Sequence, residues 1–401
     1  MSSRLTVLFV GHKSSSTTVP VVNEGRAARY HRLRRRVRVL TWVLVVVCLL
    51  WFVGSGVSVA LSEVVTRLVS GTGRPSLPLG VLSATVYVIA VWICLEIVLL
   101  PLRWFEDHVL EWRYGRVEER VGRWVVGHVA SVGLSSLVVG VAGAVVYSSI
   151  RLWPEWWWGV SGGVFAAATL ILTNLAPVWV IPRFATVRPL ARHALHDRVT
   201  ALARRVGIPG LRVEECASWS VQTRPHATLV GLGSTRRILV SDRLLADYSD
   251  DEIEVMLAHE LGHHLHRDVW WWIGFELSVG ITALAFGGHM VEQVGRMFGV
   301  SDLAELAGLP LLALAAGGVV LVAVPFGRAL SRRHERRADR FALRATRNPD
   351  AFVSGLRRLG AENLVEERPS RLVELLWCTH PPLANRLATA QRPGAVEVAS
   401  G

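Results

Sequence analysis

The 401-residue chain is 51% hydrophobic and only 19% charged, and its mean hydropathy is positive, a balance that suits a multi-span membrane protein. Basic residues exceed acidic ones by 44 to 32, a net charge of +12, and Lys13 is the only lysine. No folded basic module is visible, so the arginines read as a positive-inside bias and no nucleic-acid partner is expected.

Residues 1–38 are polar, Ser/Thr-rich and then Arg-rich. They are expected to form a basic, disordered N-terminus, too long and too basic for a cleavable signal. Six stretches of about 20 mostly apolar residues follow, at 39–61, 79–101, 129–150, 159–181, 269–289 and 307–327. Glu96 interrupts the second and Glu276 the fifth, and tryptophan clusters at 156–158 and 270–272 mark interfaces. The four cysteines, Cys48, Cys94, Cys216 and Cys378, show neither disulfide nor metal-ligand spacing.

Six spans place both ends on one side, and the Arg-rich run 26–38 makes that side cytoplasmic. The outer loops hold only Arg67, Arg74, Arg151 and Arg296, whereas the inner loop 102–128 alone holds five arginines. The expected division is a four-span region 39–181, a cytoplasmic part 182–268, a two-span hairpin 269–327, a second cytoplasmic part 328–390 and a disordered tail 391–401. The fold class is mostly α: a polytopic helix bundle with a cytoplasmic α+β zincin-like catalytic domain. The protein is placed in the cell (inner) membrane, and nothing in the sequence sets its oligomeric state.

In 182–268, a helical pattern runs from Pro189 to Val206 and breaks at Gly207-Ile208-Pro209-Gly210. Strands are expected at 211–215, 226–231 and 236–241, the last two flanking a Gly-Leu-Gly-Ser turn as a hairpin. Ser249 and Glu252 form a capping box that opens a helix through 250–267.

That helix carries His259, Glu260 and His263 in H-E-x-x-H register, the signature of a zinc-dependent peptidase. Positions i and i+4 share a helical face, so both imidazoles can grip one metal ion while the glutamate takes a proton from water. A catalytic zinc takes a third protein ligand. The motif helix is expected to run straight into the fifth span, and the sixth returns into Ser331–Arg340. At about 1.5 Å per residue, His263 and Glu335 then sit at similar heights beyond the membrane edge. Glu335 is therefore the expected third ligand. Asp339, one turn on, could hold a histidine or meet substrate. His264 and His266 point to other faces, and His108, His128, His193, His196 and His289 are expected at interfaces or on the surface.

These motifs resemble the CaaX prenyl endopeptidase family of integral-membrane zinc metallopeptidases. Phe105, Glu111 and Gly115 are similar to its juxtamembrane stretch, and Ala176-Pro177 and Arg188-Pro189-Leu190 to the entry of its soluble domain. Ala258–His263, Glu335-Arg336-Arg337-Ala338-Asp339 and Thr379-His380-Pro381-Pro382, with Arg386, then follow in the family's order. The resemblance implies one Zn2+ per chain on His259, His263 and Glu335, and Glu260 as base. It also implies Asp339 as proton donor, and His380 and Arg386 on the substrate or its oxyanion. His226-Ala227-Thr228 stands where the family offers an Asn-Ala-aromatic strand that binds substrate. Eukaryotic members have seven spans, against six here, and the chain's own end, Ala-Ser-Gly, is no prenylation signal. The partners are then the lipid bilayer and membrane-associated peptides or proteins, cut in CaaX-type or quality-control proteolysis. The rival class is a catalytically inactive zinc-binding scaffold or transporter.

Overall fold

The computed structural model describes residues 24–71, 76–116, 120–175, 179, 183, 186–208, 210–217, 226–231 and 235–391. The N-terminus before 24, the tail after 391, Ala176-Pro177 and the Gly-Leu-Gly-Ser turn beyond Gly231 lie outside them.

Helix α1 spans Glu24–Gly54, α2 Val57–Ser70, α3 Leu77–Trp104, α4 Val121–Leu152 and α5 Trp157–Leu175. Strand β1 is Thr186–Pro189, α6 His193–Arg205, β2 Arg212–Ala217, β3 Ala227–Val230 and β4 Arg237–Ser241. Then come α7 (Asp242–Asp247), α8 (Asp250–Leu265), α9 (Asp268–Val294), α10 (Leu309–Thr346), α11 (Pro349–Glu362), α12 (Arg371–Trp377) and α13 (Leu383–Ala390).

Among the described residues six helices are long and apolar enough to cross a membrane, α1, α3, α4, α5, α9 and α10 with their extensions. Their flanks leave large apolar side chains such as Trp51, Leu137, Ile171 and Val322 exposed, as lipid-facing helices do. Inside, Tyr87, Tyr147, Trp157 and Leu312 pack into one cluster. Three expectations change here. Helix α1 starts at Glu24, so 24–38 is helical rather than disordered, with Tyr30 and Arg34 held by Glu111 and Glu106. The first span ends at Gly54, because Gly56 takes a left-handed backbone (φ 78°) that only glycine adopts freely, and 57–61 belongs to α2. His108 is buried, in a π-helical turn over Phe105–Leu110, rather than on the surface.

The sheet on one side of the bundle runs β1-β2-β4-β3 among the described residues. The expected hairpin is present: β3 pairs antiparallel with β4, Ala227 opposite Val240 and Val230 opposite Arg237. β2 runs parallel to β4, and β1 pairs antiparallel with β2; β1 ends at Pro189, where a helix was expected to open, and the helix starts instead at His193. β3 is thus an edge strand. Leu195, Val199 and Leu202 of α6 close a core with Ile238 and Val240 of β4 and Ile253, Leu257 and Leu261 of α8.

The motif helix does not run into the fifth span. It ends at Leu265, Arg267 turns left-handed (φ 55°), and α9 begins at Asp268. The partner helix α10 is unbroken for 38 residues, about 57 Å of helix, and carries the sixth span and Glu335 on one rod. Gly262 lets the two meet: a Cβ there would stand 3.1 Å from the Ala338 Cα and from Phe341.

Candidate metal centre and active site

The capping box holds the start of α8. The Ser249 hydroxyl accepts from the Glu252 backbone N–H, and the Glu252 carboxylate accepts from the Ser249 N–H. One face of the helix then presents His259 and His263, whose Nε2 atoms stand 3.1 Å apart with their rings edge to face. Glu335 reaches across from α10, Oε2 3.3 Å from His259 Nε2 and Oε1 3.4 Å from His263 Nε2. These three side chains form the cluster able to hold a metal among the described residues.

A tetrahedral ion with bonds of about 2.0–2.1 Å keeps its ligands about 3.3 Å apart, and the three donors already have that spacing. Glu335 Oε2 is buried, with no hydrogen-bond partner among the described residues. Each histidine turns its other nitrogen to an acid: His263 Nδ1 bonds with Asp268 Oδ2 at 2.8 Å, while His259 Nδ1 lies 3.0 Å from Asp339 Oδ1 as an ion-pair contact without hydrogen-bond geometry. Such outer carboxylates fix the tautomer and aim Nε2 at a metal. Burial opposes the protonated histidines, but Asp339 and Glu335 outweigh it at His259 and hold its pKa at about 9. Asp268 and Glu335 do the same at His263, at about 10. The acids thus favour positive charge between them, and the residues fit a divalent cation.

A cavity of about 280 Å³ opens beside this triangle. Glu260 lines it, its carboxylate raised above its usual pKa by burial against the pull of His259 and His263 and a bond from the Leu229 backbone. His226 and Ala227 line it too, so the edge strand borders the site, and Thr228 follows on that strand. His380 and Arg386 close another side. His380 Nε2 lies 3.4 Å from Glu335 Oε1, while Nδ1 bonds with the Thr379 hydroxyl at 2.9 Å. Arg386 donates through Nε and Nη2 to the two oxygens of Asp339, at 2.8 and 2.6 Å. Asp339 is 2% exposed, held between His259 and Arg386. His264 bonds to Arg236 and His266 to the Gly262 carbonyl, both outside the triangle.

Two family models match the chain, one over each half. The profile of peptidase family M48 matches residues 189–393, and that described as CAAX prenyl protease N-terminal, five membrane helices, matches 23–186. The chain belongs to peptidase family M48. This membrane metalloendopeptidase is 25% identical over 336 residues to a Bacillus subtilis protein named uncharacterized metalloprotease YhfN, covering 81% of this chain and 79% of that one. It is 23% identical to the Oryza sativa CAAX prenyl protease 1 homolog, over 78% of this chain and 74% of that one. Its fold matches the crystal structure of S. mikatae Ste24p with a TM-score of 0.76, at 19% identity, over 91% of this chain and 88% of that one. A family M48 metallopeptidase carries a catalytic metal, typically zinc.

Three residues escaped the sequence reading. Asp268, just past the motif helix, was hidden by the assumption that this helix continues; a carboxylate five residues after the second histidine was its signal. Gly262 is visible only once α10 is known to cross there. Arg332, one turn before Glu335, donates through Nη1 to the Glu374 and Cys378 carbonyls at 2.6 and 3.0 Å and so holds the segment leading to His380.

Proposed function

We propose that this protein is a zinc-dependent endopeptidase with one zinc ion per chain, held by His259, His263 and Glu335 on the cytoplasmic side of the cell membrane. The carrying observation is the triangle of donors at tetrahedral spacing with Glu260 in the adjoining cavity. The arginine asymmetry between loops supports the orientation. When bound, zinc supplies Lewis acidity, bringing the pKa of a water near 7 and polarising the scissile carbonyl.

The chain's own residues do the rest. Glu260 takes the proton from the attacking water and returns it to the leaving amine. His380, oriented by Thr379, offers Nε2 to the oxyanion. Arg386 offers the nitrogen that Asp339 leaves free. Asp339, expected from the resemblance as a proton donor, is buried with both oxygens bound by Arg386, so we assign it instead to positioning His259 and Arg386. The edge strand at Ala227 and Thr228, with His226 just before it, pairs with an extended substrate backbone. Val255, Met256, Phe352 and Leu356 make one wall of the cavity apolar, so an apolar side chain fits next to the cut bond.

The substrate class is membrane-associated peptides or proteins, in line with the CAAX prenyl protease name of the Oryza sativa relative. A Glu260→Gln variant should keep zinc, lose cleavage and trap bound substrates for mass spectrometry. Full activity in that variant rules the assignment out.

A further inference from the structure

We propose that a groove between α1 and α12, outside the catalytic cavity, binds the headgroup of one anionic phospholipid from the leaflet on the catalytic side. The groove encloses about 510 Å³. Its mouth is lined by Arg32, Arg35 and Arg36, and no acidic residue lines it. Arg35 is engaged by Glu366 through two hydrogen bonds of 3.1 and 3.2 Å. Arg32 and Arg36, one turn apart on one helical face, are exposed and carry no ion pair or hydrogen bond among the described residues.

Below the arginines the wall turns apolar. Val39 and Val43 face it from α1, and Leu372 and Leu376 from α12. Leu372 is 71% exposed, and α12 buries no side chain at all. From Arg36 to Val43 is about 10 Å along a helix, the depth over which a membrane interface passes from headgroup to acyl chain. Cations above and an apolar wall below match a phosphate carrying acyl chains, since guanidinium groups pair with phosphate oxygens. A zwitterionic lipid would cover the leucines and offer a phosphate, but its own cation would offset that charge and leave the arginine pair less compensated than an anionic lipid does. A soluble acidic peptide would satisfy the arginines but leave the lower wall bare.

The site also borders the catalytic machinery. A second cavity of about 250 Å³ shares Arg35, Val373 and Trp377 with the groove and extends to Thr379 and His380. Arg332 clamps the C-terminal end of α12 to the helix that carries Glu335. A lipid seated in the groove therefore braces the segment that presents His380. The inference uses the proposed topology only to name the leaflet, and it does not depend on the metal.

The test is native mass spectrometry of the full-length protein in neutral detergent, offered equal amounts of phosphatidylglycerol and phosphatidylcholine. The wild type should retain one phosphatidylglycerol with roughly tenfold preference, and Arg32→Gln/Arg36→Gln should lose that preference. Arg120→Gln/Arg123→Gln, which removes two arginines at the start of α4, should retain it. Should the double variant fail to fold, Leu376→Asp, which puts a carboxylate into the groove, should abolish the preference in its place. Unchanged preference in the groove variants, or equal loss in the α4 variant, overturns the proposal in favour of bulk lipid or diffuse charge. Because the readout needs no catalysis, its failure is separable from failure of the peptidase assignment.

Discussion

Asp268 Oδ2 lies 2.8 Å from His263 Nδ1, although the two residues belong to different helices, because the chain turns at Arg267 before α9 begins. Asp268 is itself held by Arg337, and His334 Nε2 stands 3.7 Å away. The carboxylate is thus fixed from α10 as well, and the second histidine is oriented by the same helix that supplies Glu335.

Asp268→Ala frees the His263 ring and leaves Arg337 without its carboxylate. Zinc affinity, measured by competition with a chromophoric chelator, should fall about 10- to 100-fold, with the fold retained by circular dichroism. Unchanged affinity would deny Asp268 its positioning role.

Gly262→Val places branched carbons where the Ala338 Cα and Phe341 already stand at 3.1 Å. Overpacking should cost about 1–3 kcal/mol and separate Glu335 from the histidines. The expected outcome is a lower thermal midpoint together with a loss of bound zinc; loss of neither would show that the helices need no such close approach.

Arg332→Ala removes the donor to the Glu374 and Cys378 carbonyls. The segment bearing His380 loosens while the three metal ligands stay in place. Peptide hydrolysis should drop about tenfold or more with zinc content unchanged, as read by turnover and metal analysis on one preparation. Equal activity would detach His380 from the reaction.

Ser249→Ala opens the capping box of the motif helix. Loss of such a cap costs about 1 kcal/mol, which should appear as a small fall in thermal midpoint and little change in turnover at low temperature.

Much of this architecture was legible in the sequence, because its signals are local. The Ser249/Glu252 box, the H-E-x-x-H register and the hairpin follow from spacing within one element, and the span count follows from runs of apolar residues. Glu335 was placed near the histidines by assuming two continuous antiparallel helices; only α10 is continuous, and the turn at Arg267 breaks the other, yet the two still meet. What stayed hidden depends on how elements meet. Arg267 adopts a left-handed turn without being glycine, so the break that brings Asp268 back to His263 has no compositional mark. The helix at 24–38 looked disordered from its charge, yet Glu106, Glu111 and Glu366, all distant in sequence, neutralise Arg34, Arg38 and Arg35. Strand β1 is too short to show a period, and only its pairing with β2 defines it.

The central claim is tested most directly by the zinc stoichiometry of purified wild type, Glu335→Ala and Glu260→Gln. The account predicts about one zinc per chain in wild type and Glu260→Gln, and little in Glu335→Ala. Wild type devoid of divalent metal, or Glu335→Ala as fully loaded as wild type, would contradict it.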